Sequence, residues 1–589
     1  MGAWGGRFNA GLILISIWLA GCGGSGGGGS TTASSKTTGT PGAEASIGER
    51  LFVETRFAQF FKAYLAANPN ANVNDALPAG DPVVDAVGTM TPGQPLAGRF
   101  AGMSMNCRSC HFVDEFVGVD NGSGIGGMRT YTDFARRSPI PARQDGKLTA
   151  PRSSPPLVNA SLDRPGGALF HFDAEFNSME DLVAGTFTGR NFGWLPGQKA
   201  EAIAHIARVM RQDDGSGDIA QQFDGLPYRI LFAGNNPSMP DELRLPPEFR
   251  AFIGSGTDQE IFDAVVKVVA AYAKQLLFSQ SDDAGNLIRS PFDVFLQMNG
   301  LPQQPNPGET DLAYSRRLLT AINTLGGGAQ FVTSNPNLST GQFQFHSQPF
   351  VFGQTELDGL KIFLTEPANP PVASGPEIAA GKVGNCIACH AAPNFTDFKL
   401  HNTGTTQREY DTIHGQGAFG TLALSIPNLG TRDANYNAFL PATEQHPTAS
   451  ERFRSVPILA DPQLTDLGVW NVFKNPDMPN PQAKIKAILC DENLPTPCPS
   501  DTILLGQAIA RFKTPGLRDL GHSAPYMHTG QFDTLNSIIG FYLGVSAQSR
   551  GVGTPLTNGD LRLQGIALVG ANDIAPLVAF LNSLNEDYQ

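Results

Sequence analysis

Apolar positions recur at helical spacing in five stretches of the chain. Ile47 to Leu65 carries Leu51, Phe52, Phe57, Phe60 and Phe61 on one broad face, and Glu260 to Phe278 repeats Ile261, Val265, Val268, Val269, Tyr272 and Leu276. Leu357 to Leu364 follows the same rule, as does Ile574 to Leu584 through Ile574, Leu577, Val578, Leu581 and Leu584. Residues three or four places apart share a helix face, so each stretch predicts an amphipathic helix. A fifth helix is predicted at Thr310 to Leu325, inside a Pro-, Gly- and Gln-rich stretch from Ser279 to Phe352.

One apolar run differs. Gly11 to Leu19 has Arg7 as the only charge before it and ends in Leu19-Ala20-Gly21-Cys22. It is too short to cross a bilayer and reads as a signal-peptide core. Leu-Ala-Gly-Cys resembles a bacterial lipobox, in which Cys22 is lipidated and becomes the new N-terminus. Gly23 to Gly42 is almost wholly Gly, Ser and Thr, a flexible tether. The expected layout is a lipoprotein signal peptide over 1–21 and a tether over 22–46. The body is then exported and meets the membrane only through its lipid. Gly23 after the cysteine points to the periplasmic face of the outer membrane.

Composition narrows the function classes. Of 589 residues, 41% are hydrophobic and 16% charged, with 66 Gly, 44 Pro, 38 Phe and only 4 Trp. This is a loop-rich globular chain, well below the roughly 25% charge of an average protein. The net charge of −13 and the lack of any Lys/Arg block exclude nucleic acid as a natural partner.

The seven cysteines are informative. Apart from Cys22 they form two Cys-x-x-Cys-His segments, Cys107-Arg108-Ser109-Cys110-His111 and Cys386-Ile387-Ala388-Cys389-His390, plus Cys490 and Cys498. The last two flank a short Pro-containing loop and can close a disulfide in an oxidising compartment. Cys-x-x-Cys-His is the attachment motif of haem c: two thiols one turn apart meet two vinyl groups, and the adjacent His supplies the proximal nitrogen. A zinc knuckle or thioredoxin-like pair would not need His twice, and no further Cys-x-x-Cys pair completes a zinc site. Two covalently bound haem c groups are expected, each behind a helix and ahead of a closing helix. The fold class expected is all-α, with two cytochrome c-like haem domains carrying long loop insertions. The domains are read as 47–278 and 353–589, with a linker or insertion over 279–352.

The C-terminal half carries more. CIACHAAPNFTDFKLHNTG (386–404) and FKTPGLRDLGHSAPYMHTGQFDTLNSIIGFY (512–542) resemble the bacterial di-haem cytochrome c peroxidase family, most closely its MauG-type branch. The resemblance covers most of the second module and, more loosely, Ser153 to Trp194. It implies a peroxidatic N-terminal haem on His111 and an electron-relaying C-terminal haem on His390. It also implies hydrogen peroxide as substrate and a small redox donor, a cytochrome c or a cupredoxin. The relay haem's second ligand falls on Tyr542, as in the MauG-type branch, with Met527 as rival. A hard phenolate favours ferric iron, whereas a thioether favours ferrous. A family calcium would use the carbonyls of Ser523 and Pro525, but its Asn position falls on Ser153, a poorer ligand.

The first module departs from the family pattern. The bridging Trp falls on Phe172, the distal Gln on Leu182 and the distal Glu on Phe192. Peroxide cleavage needs an acid–base group there, worth ~10²–10⁴-fold. His171, Glu175 and Glu180 lie on the same stretch as substitutes, and Trp194 is a candidate electron conduit. Without such a group, an apolar pocket suits a di-haem oxygenase acting on an apolar substrate, and a non-catalytic di-haem electron carrier is the third alternative.

Overall fold

The computed structural model describes residues 42–589, apart from 76–105, 108–109, 112–136, 139, 163, 165, 237–238, 278–285, 337–340, 344–345, 347, 494–496 and 587–589. The expected signal segment, Cys22 and most of the tether lie outside the described residues.

Helix dominates, as the periodicity requires. The first predicted helix is two, α1 (Ala43–Phe52) and α2 (Gln59–Ala67). The break between them has a buried electrostatic cause. Glu54 accepts from Arg56 Nε at 2.8 Å and from the Tyr228 hydroxyl at 2.8 Å, while Arg56 also reaches Asp213 at 3.0 Å. Arg50 binds the same Asp213 at 3.1 Å and Asp224 at 2.8 Å. Removing one member of such a buried set costs ~3–5 kcal/mol, enough to override helix continuity.

Three longer helices join them, α3 (Met179–Phe187), α4 (Lys199–Gln212) and α5 (Asp258–Gln275), with two short ones at Asp218–Phe223 and Tyr228–Ala233. Ser178 caps α3, and a capping box from Thr257 to Glu260 starts α5. Their apolar faces enclose a core of Ile47, Leu51, Phe57, Phe187, Phe192, Trp194 and Val265. Helices α1 and α5 approach closely at Gly48, where an added Cβ would lie 2.6 Å from the Val268 carbonyl oxygen.

The second part repeats this device. The helices that carry its core are α6 (Pro291–Met298), α7 (Asp311–Leu325), α8 (Gln354–Leu364), α9 (Leu535–Ser549) and α10 (Gly570–Asn582), with further helices such as Thr405–His414 and Gln482–Asn493 between α8 and α9. A Cβ on Gly359 of α8 would collide with the Pro576 carbonyl of α10. The stretch read from sequence as a linker supplies Phe292, Phe295, Tyr314, Leu318, Phe350 and Phe352 to this core. A further cluster joins Leu169 and Ala174 to Leu400, Phe453, Trp470 and Leu504. Among the described residues the one sheet is a two-residue ladder, β1 (Leu400–His401) antiparallel to β2 (Phe512–Lys513), with His401 opposite Phe512. Cys490 and Cys498 are disulfide-bonded. No described helix is long and apolar enough to cross a membrane.

Candidate functional site

The two Cys-x-x-Cys-His segments fold into matching turns. The Cys107 carbonyl accepts from the amides of Cys110 (3.2 Å) and His111 (2.9 Å), and the Cys386 carbonyl from Cys389 (3.2 Å) and His390 (2.7 Å). His111 Nδ1–H donates to the Pro155 carbonyl at 2.9 Å, and His390 Nδ1–H to the Phe395 carbonyl at 2.8 Å. A carbonyl can only accept, so each ring carries its proton on Nδ1 and presents Nε2 as a lone pair. Burial pulls His111 down to about 4 and lowers His390 as well, so it disfavours the charged ring at both. The four motif cysteines are not disulfide-bonded. Burial pushes Cys110 and Cys386 up to about 12 and raises Cys107 and Cys389. Protonated thiols beside a lone-pair imidazole suit thioether attachment of a haem better than a thiolate zinc site.

Two cavities meet at His111, and His111, Pro155, His171, Phe172 and Thr186 line both. One is walled by Phe170, Met179, Leu182, Val183 and Phe187, largely apolar. The other, about 570 Å³, is faced by Ser138, Arg152, Glu175, Arg190, Trp194 and Arg454. The Trp194 indole N–H is buried with no hydrogen-bond partner, a donor suited to an acceptor such as a haem carboxylate. Leu182 lines the apolar cavity, whereas Phe192 lines neither and packs edge-on against Phe187 at 5.2 Å. Glu180 lies away from the cavities and pairs with Lys274 at 2.6 Å.

His171 stands apart from the other candidates. It holds φ at 61°, a left-handed conformation uncommon outside glycine. Its Nδ1 pairs with Glu175 Oε2 at 3.0 Å. Arg454 grips the same carboxylate and reaches Asp173 at 3.2 Å; Arg152 bridges Asp173 (2.7 Å) and Asp466 (2.5 Å). Burial alone would raise Glu175, but Arg454 and then His171 outweigh it, and the group is held far below the usual carboxylate range.

Phe172 sits where the first cavity meets β2. Its carbonyl accepts from the Lys513 amide at 2.7 Å, and its ring lies 6.2 Å from His528, which stacks on Phe512 at 3.6 Å. Lys513 itself went unnoticed as a site residue in the sequence. Its ammonium lines the apolar cavity and donates to the Leu169 carbonyl at 3.0 Å, and burial, then Arg164, pulls it down to about 7. The quoted Phe-Lys-Thr-Pro run held the signal, but only the fold carries it to the first cavity.

At the second turn, Tyr542 adjoins the motif. Burial, then the nearby Cys389 and Cys386 thiols, raises its phenol well above the usual range. Met527 packs against the second core. His401 binds Asp560 at 2.6 Å and Asp397 at 2.8 Å, its ligand atoms lying within 4.8 Å of Cys389. Burial opposes charge on His401, but Cys389 and Asp397 overcome it and raise the ring above its usual value. Ser153 donates its amide to the His528 carbonyl at 2.8 Å, and Ser523 donates its hydroxyl to the Asp519 carbonyl at 3.1 Å.

Known proteins bear on these turns. The chain is 29% identical over 212 residues to a cytochrome-c peroxidase, IdrP2, of Denitromonas iodatirespirans, covering 36% of this chain and 38% of that one. A second IdrP2, from Pseudomonas sp. (strain SCT), is 29% identical over 201 residues, 30% of this chain and 50% of that one. Over these regions the chain is similar in sequence to cytochrome-c peroxidases. The matched regions span half or less of these relatives' length. No family model matches. Among solved structures, a MauG-like protein associated with microbial copper homeostasis overlays at TM-score 0.37 and 15% identity over 92% of this chain and 90% of its own. The diheme peroxidase BthA of Burkholderia thailandensis overlays at 0.39 and 15%, over 92% and 86%. Overlays this loose carry no weight beside the sequence relationship.

Proposed function

We propose that the chain is a di-haem c-type peroxidase. It takes electrons from a small redox protein, a cytochrome c or a cupredoxin, and reduces hydrogen peroxide to water. The observation that carries this is the pair of matching turns, each with two adjacent thiols and an imidazole whose Nδ1 is tied to a backbone carbonyl. Cys107 and Cys110 hold one haem and Cys386 and Cys389 the other, with His111 and His390 as proximal ligands and Tyr542 as the second ligand at the C-terminal group. When bound, the haems would relay the donor's electrons and provide the iron chemistry that peroxide reduction requires.

The chain's own residues do the rest. Pro155 and Phe395 orient the two imidazoles through their carbonyls. Leu182, Phe170 and Val183 keep the first pocket apolar, which excludes bulk water. Trp194 and Lys513 offer hydrogen-bond donors to haem carboxylates. Phe172, the His528–Phe512 stack and the β1–β2 ladder connect the first cavity to the second turn. Lipidation at Cys22 places this body at the periplasmic face of the outer membrane. The family's calcium position falls on Ser153, Ser523 and Pro525, which bring no carboxylate, so the reading includes no structural calcium there.

The apolar wall around Leu182 is what favours an oxygenase as second reading. Steady-state assay of the haem-loaded full chain with a reduced cytochrome c decides between them. Peroxide-dependent oxidation of the donor supports the peroxidase. Oxygen uptake with an apolar substrate and no peroxide response supports the oxygenase.

A further inference from the structure

The first pocket has lost the carboxylate that such chemistry uses, yet a base stands in its wall. His171 and His111 are the histidines lining both cavities, so they share one space. His111 commits Nδ1 to Pro155 and presents Nε2. His171 is bound the same way, but to a carboxylate: Nδ1–H donates to Glu175 at 3.0 Å. That leaves Nε2 as the basic atom, with no hydrogen bond among the described residues. Glu175 is itself fixed by Arg454, which also touches Asp173. The charged and titratable groups around His171 are Glu175, Asp173 and Arg454, and His111, Arg152, Arg164 and Lys513 line the cavities it faces. Phe176 packs edge-on against the ring at 4.9 Å, holding its plane.

The positive φ of 61° adds a second observation. Such a conformation is strained in a residue with a Cβ, and persists where surrounding contacts over-determine it. Here it turns the ring out of the Phe170–Phe176 bridge and into the cavity wall.

We propose that His171, oriented by Glu175, is the proton-transfer residue of the first haem pocket. This rests on the peroxidase reading above. Nε2 takes the proton from one peroxide oxygen and delivers it to the other. The O–O bond breaks, and the second oxygen leaves with both hydrogens as water. The first oxygen becomes water on receiving two electrons from the donor protein and two protons from solvent. Glu175 stabilises the imidazolium formed between these transfers, as a carboxylate behind a catalytic His does.

Cyanide binding tests the residue apart from peroxide turnover. At neutral pH cyanide is almost wholly the neutral acid, and it must lose a proton to bind ferric iron. Haem-loaded full-length protein is compared with His171→Asn, which tolerates the left-handed backbone but is a poor base, and with Glu175→Gln. The account expects cyanide association and the peroxide reaction to slow by ~10²-fold or more in His171→Asn, with a smaller loss in Glu175→Gln. Carbon monoxide, which carries no proton, binds the reduced forms at unchanged rates. Cyanide and peroxide rates within threefold of the parent in His171→Asn would overturn the proposal. A parent that binds cyanide through His171 yet ignores peroxide would instead defeat the peroxidase reading and leave the base in place.

Discussion

Arg518 ties the second haem turn to the core, and its removal has a calculable cost. Its guanidinium holds Asp293 through two bonds, at 2.8 and 3.0 Å, and Glu586 at 3.1 Å. The three side chains are 2%, 2% and 0% exposed. It also donates to the Pro393 carbonyl at 3.1 and 3.0 Å. Pro393 lies between His390 and Phe395, whose carbonyl orients that imidazole. Arg518→Met keeps the apolar stem but leaves two carboxylates buried together. Losing the cation costs about 3–5 kcal/mol, softened when one carboxyl takes up a proton; the orphaned carbonyl adds about 1 kcal/mol. At ~1 °C per kcal/mol for a chain of this length, the thermal midpoint falls by on the order of 5 °C. Far-UV circular dichroism of the haem-loaded chain measures it. Adding Glu586→Gln removes one uncompensated charge and recovers part of the loss. A midpoint within about 2 °C of the parent would refute the reasoning.

Three further outcomes follow from individual residues. His205 is buried, bonds the Arg56 carbonyl at 2.8 Å and is pulled by burial from 6.5 to about 4. The unfolded chain binds the extra proton between those values, so stability falls as pH drops from about 6.5 to 4, by on the order of 3 kcal/mol. His205→Gln flattens that part of the thermal-midpoint profile. Tyr542→Met replaces an oxygen ligand by a thioether and raises the reduction potential of the C-terminal haem, read by spectroelectrochemistry; an unmoved potential excludes Tyr542 as ligand. Ser153, Ser523 and Pro525 offer neutral oxygens alone, so a calcium chelator leaves the optical spectrum and thermal midpoint unchanged.

The periodic apolar faces announced α5, α7, α8 and α10 to within a few residues, because each buries a continuous stripe. The Ile47 to Leu65 pattern missed its break, since Glu54 and Arg56 meet Asp213 and Tyr228 only in the folded chain. Ser279 to Phe352 read as a linker because its Pro and Gly mask scattered core residues such as Phe292 and Phe352. The motif histidines came from spacing and Tyr542 from the resemblance, and the fold brings Tyr542 beside the second motif's cysteines. The Glu175 partner of His171 was legible at four residues' separation, but Arg454, 279 positions away, was not. Lys513 reaches the first cavity only through the Phe172 contact, which no local pattern encodes.

The central claim is tested most directly by mixing the ferric, fully haem-loaded chain with stoichiometric hydrogen peroxide under argon and following the optical spectrum by stopped flow. The account predicts rapid loss of Soret absorbance with new visible bands, reversed by reduced donor. An unchanged spectrum would contradict it and leave the oxygenase and the electron carrier.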